Sequence, residues 1–424
     1  MQIRKLLLCL AALLCCQVSF ANGYQVMLQG NRQSGMGNVG VGFMPSAGSI
    51  WFNPGAMSFL DRNVISIGIQ PVFSNITYRA LESNAFTHSE SPAGTPFHLY
   101  GAWKINDKLS AGLAVVTPYG STIVYPDDWS GKMALQEISL QAIYIQPTLS
   151  YKIHDKVSVG VGFDVVYGGV NLQRVASEAF SNDINVELDG STVSYGFNAG
   201  IYAQPSEKFS IGMTYRSKVN MALEEGSAMF TNIPSVASAL FPANGETKFD
   251  AELPLPSVAA IGVGFYPNEK LSIGFDVNYV QWSAYQELKF KFYDPLPGME
   301  QEGDRYVSAS ERKYQDSWMF NLGVEYHLND KVDLRAGTYF DMSPVKDGYL
   351  TPETPDANAL GLTAGASYKI TDKFVVDASI LFVDKAQREN IAVRDSNGNV
   401  VTGGVDGVYK ARGIVPGISL NYLF

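Results

Sequence analysis

Polar and apolar residues alternate with a period of two along much of this chain, and the alternation stops at regularly spaced places. Near the C-terminus Ile414, Pro416, Ile418, Leu420, Tyr422 and Phe424 share one face, while Gly417, Ser419 and Asn421 share the other. Ile273, Phe275, Val277 and Tyr279 stand opposite Ser272, Gly274, Asp276 and Asn278. Trp318, Phe320, Leu322, Val324 and Tyr326 stand opposite Asn321, Gly323, Glu325 and His327. This period is that of a β-strand with two unlike faces, one suited to lipid and the other to water. The interruptions share a form: a polar residue, then Asp or Glu, then Lys, then a new alternating run. They are Asn106-Asp107-Lys108, His154-Asp155-Lys156, Ser206-Glu207-Lys208, Asn268-Glu269-Lys270, Asn329-Asp330-Lys331 and Thr371-Asp372-Lys373. Each predicts a tight hairpin turn. Six short turns separate seven two-strand units, which predicts fourteen antiparallel strands.

Alternation alone also fits a sandwich that buries its apolar face. Length favours a membrane barrel, because the runs exceed the roughly 9–11 residues that cross a bilayer at about 45°, whereas globular strands average about 5–6. From Lys270 to Trp282 is about 28 Å of height at ~3.3 Å per residue and that tilt, which places Trp282 in an aromatic girdle. The closing Tyr422-Leu423-Phe424 resembles the terminal signal by which outer-membrane barrels are recognised, so the barrel assembly machinery is an expected partner through Phe424. An even strand number with both ends on the short-turn side fits an outer-membrane barrel whose short turns are periplasmic and whose long loops lie outside. The expected outer loops are residues 80–95, 175–190, 225–245, 293–310, 345–358 and 385–403. The fold class is therefore all-β, a fourteen-stranded transmembrane barrel.

Composition narrows the function. Arg4 and Lys5 precede an uncharged run from Leu6 to Ala21 that ends in Ser19-Phe20-Ala21, a secretory signal peptide with the mature chain starting at Asn22. All three cysteines (Cys9, Cys15, Cys16) fall within it, leaving no disulfide or thiol chemistry. A lipoprotein reading of Cys15 would need a small residue where Leu14 stands. Without Arg4 and Lys5, 29 basic residues face 41 acidic ones, which argues against nucleic acid as a partner. His88, His98, His154 and His327 are the only histidines, and no spacing nominates a nucleophile or a metal set, so neither enzyme nor cofactor is expected. Asp395-x-Asn397-x-Asn399 has Val400 where a calcium loop needs Gly and Asp406 where it needs Glu, and reads as a turn.

Residues 22–63 are rich in Gly and Ser, lack long alternation and are too short for a domain, so they dangle or plug the barrel (64–424). Gly35-Met36-Gly37-Asn38-Val39-Gly40 matches a dinucleotide fingerprint by letter, but no strand precedes it and no βαβ unit surrounds it. These glycines read as tight turns in a compact hatch. In the third strand Pro118 cannot donate to a ladder and Gly120 weakens it, which predicts a break between Val116 and Ser121.

The motifs, in order, are Gly23-Tyr24-Gln25, Ser34-Gly35-Met36-Gly37, Trp51-Phe52-Asn53-Pro54-Gly55-Ala56-Met57, Thr117-Pro118-Tyr119-Gly120, Trp129-Ser130-Gly131-Lys132, Tyr215-Arg216-Ser217 and Leu253-Pro254-Leu255-Pro256. In them the chain resembles the FadL-type outer-membrane transporters of long-chain fatty acids and other hydrophobic compounds. The family's Asn-Pro-Ala is here Asn53-Pro54-Gly55, with Ala one place later. The resemblance implies an N-terminal hatch and an inward kink of strand three at Thr117, Pro118, Tyr119 and Gly120. It implies passive transport: capture among outer loops, a pocket beside the hatch, and lateral exit into outer-membrane lipid. It also implies ligand contacts at Tyr24 and Arg174, with Arg312 or Lys313 near a second basic group suited to a carboxylate head. The expected partner is a long-chain fatty acid or another hydrophobic small molecule, handled by a monomer in the outer membrane of a Gram-negative bacterium. A neutral hydrocarbon or aromatic ligand stays open, as do a general porin for polar solutes and, more remotely, a lipolytic enzyme.

Overall fold

A computed structural model describes residues 23–178 and 183–424; the signal-peptide expectation lies outside the described residues. Fourteen strands form one closed antiparallel barrel. They are β1 (Val64–Ile69, resuming at Phe73–Arg79), β2 (Phe97–Lys104), β3 (Leu109–Val124), β4 (Glu137–His154) and β5 (Val157–Ser177). Then come β6 (Ile184–Ser206), β7 (Phe209–Arg216, resuming at Val219–Thr231), β8 (Glu246–Leu255, resuming at Val258–Asn268) and β9 (Leu271–Val280, resuming at Glu287–Phe292). The last are β10 (Arg305–Glu311, resuming at Ser317–Asn329), β11 (Val332–Asp341), β12 (Ala359–Lys369), β13 (Phe374–Lys385) and β14 (Gly407–Leu423). Closure is by β1 against β14, from Val64↔Leu423 to Ile69↔Ile418, which leaves no open sheet edge at the seam.

The polar residue before each Asp/Glu-Lys pair explains several of the turns. The Asn106 side-chain oxygen accepts from the Lys108 and Leu109 amides, both at 2.9 Å. Asn268 does the same for Lys270 and Leu271 at 2.9 and 3.0 Å, and Asn329 for Lys331 and Val332 at 2.9 and 3.1 Å. Thr371 serves Lys373 and Phe374 through its hydroxyl. A short side chain thus caps its own turn, and the following strand starts in a fixed register. That register sets the faces: Ile414, Ile418, Leu420 and Phe424 are exposed on the outside, whereas Ser419 is buried.

Two expectations are corrected. Trp282 does not lie in a girdle but is fully buried, because the chain leaves the wall after Val280 and makes a short 3-10 turn at Trp282–Ala284. Its ring packs edge-on to Tyr24 at 4.8 Å between centroids. Trp318, packed on Tyr279 at 4.7 Å, is exposed on the outer face instead. Much of the expected loop 175–190 is strand, since β5 runs to Ser177 and β6 begins at Ile184 with Ser177↔Ile184 paired.

Residues 23–63 run among the inward-facing side chains as two short helices, α1 (Asn31–Ser34) and α2 (Ser49–Phe52), and a 3-10 turn at Pro54–Phe59.

Candidate functional site

The inner segment rests on the barrel wall through backbone contacts that only glycine permits. A Cβ on Gly42 would stand 2.1 Å from the carbonyl carbon and oxygen of Gly262 in β8, and one on Gly160 in β5 would meet the Pro54 carbonyl carbon at 2.3 Å. Gly37 (φ +68°) sits between Leu322 in β10 and Thr338 in β11. Such contact lets wall side chains reach the segment's backbone. The Asp276 carboxylate accepts from the Gly40 and Val41 amides at 2.7 and 2.9 Å. Ser210 donates to the Gly42 carbonyl at 2.6 Å, and Asn321 to that of Gly37 at 2.6 Å. Asn53 donates to the Val41 and Ile201 carbonyls at 2.7 and 3.0 Å and accepts from the Gly55 amide at 3.0 Å. The Gly55 carbonyl takes the hydroxyls of Ser150 and Ser158 at 3.0 and 2.6 Å.

Charge pins the segment at two further points. Arg32 of α1 pairs with Glu325 at 2.8 Å, which also takes Arg335 at 2.6 Å; Arg335 reaches Asp377 at 3.0 Å. On the other side Arg216 pairs with Asp164 at 2.7 Å, donates to the Trp51 carbonyl at 3.2 Å, and lies 3.4 Å over the Trp51 ring. Buried charges of this kind are tolerated because each has a partner.

Above the segment is a cavity of about 470 Å³. It is bordered by residues 23–28, by the Pro92–Pro96 stretch, by β3 from Tyr119 to Ile123, and by Tyr339, Leu381, Val383 and Val415. A smaller, almost wholly apolar recess of about 50 Å³ adjoins it behind Tyr24 and is lined by Ile138, Leu172, Leu223 and Phe290 among others. Tyr24 borders both. It donates to the Pro254 carbonyl at 2.6 Å, and burial beside Tyr285 and Tyr314 pushes its phenol up, so it stays neutral.

Beside the cavity, β3 changes register against β4 from Val116↔Tyr144 to Tyr119↔Ala142. Three steps on β3 against two on β4 leave one extra residue, a bulge. The β2–β3 ladder ends at His98↔Val116. Beyond it the edge of β3 is met by the chain's own beginning: Val26 donates to the Pro118 carbonyl at 2.8 Å and Gly120 to that of Tyr24 at 3.2 Å. Higher up, Glu90 donates to the Val124 carbonyl at 2.8 Å. Between these ties, Gly120–Thr122 and Pro92–Pro96 both border the cavity.

The expected site residues are thus only partly gathered. Tyr24, Thr117, Tyr119 and Gly120 line the cavity. Arg312 is buried outside it, donating to Glu353, to the Thr402 carbonyl at 2.6 Å and to Tyr285 at 3.3 Å. Arg174 donates to the Met133 carbonyl at 3.1 Å, and Lys313 pairs with Glu311 at 2.7 Å on the exterior. Asp341 and Glu353, which also border the cavity, were not anticipated; each lies at a strand end or in a loop where nothing local marks it. In the calcium-like run, Asp395 accepts from the Asn399 side chain at 3.1 Å and from the Asn397 and Asn399 amides at 2.8 and 2.9 Å, and these bonds hold its carboxyl below the usual range.

A closed fourteen-stranded barrel with lipid-facing exterior and an internally docked leading segment defines an outer-membrane transport barrel. The family model described as "Outer membrane protein transport protein (OMPP1/FadL/TodX)" matches residues 12–424, and the chain belongs to that family. Among curated relatives, it is 26% identical over 416 residues to the "47 kDa outer membrane protein" of Pasteurella multocida, covering 92% of each chain. It is 23% identical over 386 residues to the "Long-chain fatty acid transport protein" of Escherichia coli, covering 84% of each. Among solved structures, a Pseudomonas aeruginosa FadL homologue superposes with a TM-score of 0.83 at 18% identity, covering 95% of this chain and 99% of that one. The Ralstonia pickettii toluene transporter TbuX gives 0.69 at 16% identity, with 95% and 99% covered. The chain is accordingly an outer-membrane transport protein rather than an enzyme.

Proposed function

We propose that this chain carries long-chain fatty acids or similar hydrophobic compounds passively across the outer membrane. Residues 22–63 act as a hatch, and the ligand leaves sideways through the wall at β3. The observation that carries this reading is the continuity of the cavity from Tyr24 to the bulged edge of β3 at Gly120–Thr122. An apolar solute moving through a water-filled pore would keep its surface hydrated, at a cost of about 0.8 kcal/mol per CH₂ relative to burial. A path from an apolar cavity into lipid avoids that cost and needs no energy source. Names of relatives that carry long-chain fatty acids or toluene support the ligand class. Capture takes place among the outer loops, where Val236 and Leu240 expose apolar side chains on the 3-10 turn Ser235–Leu240. Tyr24 borders the cavity, and of the basic residues expected to meet an acidic head Arg174 is the one offered to it, since Arg312 is taken by Glu353 and Lys313 by Glu311.

A general porin would instead conduct ions. Purified protein in a planar bilayer should show at most small, brief conductance steps, while cells expressing it should take up radiolabelled oleate faster than cells without it. Large, steady conductance with no gain in uptake would replace the transporter by a porin.

A further inference from the structure

The edge of β3 that faces the gap in the wall is tied at two places and bare between them. Below, Gly120 donates to the Tyr24 carbonyl; above, the Val124 amide donates to the Ser91 hydroxyl at 3.1 Å and the Val124 carbonyl accepts from Glu90. In an antiparallel strand the N–H and C=O of a residue point to one side, and alternate residues share that side. Thr122 therefore turns its amide away from β4 and into the gap, where none of the described residues bonds to it. The leading segment leaves the edge before reaching Thr122, since at Gly23 the chain turns (φ +48°) against the Trp282 ring. Ser74, Thr95 and Ser121 border the same cavity, are at least partly exposed, and their hydroxyls make no hydrogen bond to the described residues. One unpaired residue is too short an edge to seat another strand, but it can seat a small polar group.

Height and chemistry say which group. Gly120 and Thr122 stand opposite Gln141 and Ser139 of β4. Below these, the outward face of β4 is apolar at Ile143, Ile145, Pro147, Leu149, Tyr151 and Ile153. From Ile143 to Ile153 is roughly 23 Å of height at ~3.3 Å per residue and a tilt of about 45°, nearly the whole apolar band of such a barrel. The gap thus opens at the outer boundary between hydrocarbon and lipid heads, where an emerging amphiphile has its head among polar groups and its chain beside lipid tails. An amide N–H and three hydroxyls can all donate there, and none carries charge. A carboxylate accepts several such bonds, each strengthened by its charge, whereas an alkane accepts none. Resting on the transporter reading above, we infer that the bare edge of β3 at Thr122 is an exit subsite for the carboxylate head of a fatty acid. The Thr122 amide and the neighbouring hydroxyls donate to the head while the apolar chain reaches through the gap into lipid.

The test uses the full chain in detergent, carrying Arg174→Gln so that the cation offered inside the barrel does not hold the head. This parent is given equimolar dodecanoate and dodecane at pH 8, and retained ligands are counted by native mass spectrometry; comparison with the parent cancels partition into detergent. Thr122→Pro removes the amide proton without breaking a ladder bond, a replacement that a strand edge tolerates. It should lose about tenfold in dodecanoate, the scale of one hydrogen bond to a charged group, while dodecane is unchanged. Thr122→Ala keeps the amide and should match the parent. Should Thr122→Pro not fold, the triple variant Ser74→Ala, Thr95→Val and Ser121→Ala, which removes no bond made within the described residues, should show the same selective loss. Dodecanoate held equally by parent and variants, or lost together with dodecane, would overturn the inference while leaving a hydrophobic transporter in place, as would a parent that keeps dodecane alone. If neither the parent nor the unaltered chain retains either compound, the transporter reading falls and this inference with it.

Discussion

Gly42→Ala is the most direct probe of whether residues 22–63 are held as a hatch. The added methyl would sit 2.1 Å from the Gly262 carbonyl group and 2.5 Å from the Val263 amide nitrogen. Both are wall backbone inside a continuous ladder with β9 and β7, so the wall cannot give and the segment must lift. Lifting it breaks the two amide bonds to Asp276, the Ser210 bond to the Gly42 carbonyl and the Asn53 bond to the Val41 carbonyl. Two neutral bonds at about 1 kcal/mol and two to a carboxylate at about 1.5–3 kcal/mol amount to roughly 5–8 kcal/mol of docking lost at most. The barrel ladder does not depend on these bonds. The folded, heat-modifiable band on gels should therefore persist, while limited proteolysis should cleave near residue 42 and planar bilayers should show new conductance steps. A variant as protease-resistant and as electrically quiet as the unaltered protein would refute the docking account.

Other perturbations test separate parts of the fold. Arg335→Met leaves Glu325 and Asp377 buried with one partner fewer, which should cost about 3–5 kcal/mol and lower the temperature at which the folded band disappears; Arg335→Met combined with Glu325→Gln should recover part of that loss. In liposomes of brominated lipid, Trp318→Phe should remove much of the tryptophan quenching because Trp318 faces outward, while Trp282→Phe should leave it unchanged. Equal effects would contradict the buried position of Trp282. Gln25 and Tyr119 form an antiparallel bridge flanked by the Val26–Pro118 and Tyr24–Gly120 hydrogen bonds. This is the non-hydrogen-bonded pair geometry, with Cα atoms about 4.5 Å apart and within disulfide reach. Since no cysteine follows Cys16, the Q25C/Y119C protein should lose both free thiols on oxidation, and persistent thiols would show that the leading residues are not seated on β3.

The strand count and the lipid-facing sides could be read from local chemistry, because a turn capped by Asn106 or Asn268 and an alternation of two are written within a dozen residues. Trp282 was misplaced because the same alternation carries no sign of the bend after Val280, which buries that ring on Tyr24, a neighbour far away in sequence. The water-suited face was legible, yet its pairings were not: Arg32, Glu325, Arg335 and Asp377 meet only once the barrel closes around the segment. The glycines at 35 and 37 signalled close approach, but their counterparts in β10–β12 emerge only in three dimensions, and Gly42, which meets Gly262 of β8, carried no such signal. Pro118 and Gly120 marked an irregularity in β3, although nothing in the sequence shows the chain's beginning laid along that edge. Asp341 ends an ordinary strand, and only the cavity beside it, assembled from distant segments, sets it apart.

Lateral passage at β3 is tested most directly by deleting Pro118. The deletion removes the one extra residue, so Val116↔Tyr144 continues through Thr117 opposite Ile143 to Tyr119↔Ala142. Both flanking halves keep their inward and outward faces. Uptake of radiolabelled oleate would be measured in cells lacking other carriers of this class, with folded protein matched on gels. A fall to the level of cells without the protein is the predicted result; uptake equal to that of the unaltered chain would contradict exit through the wall.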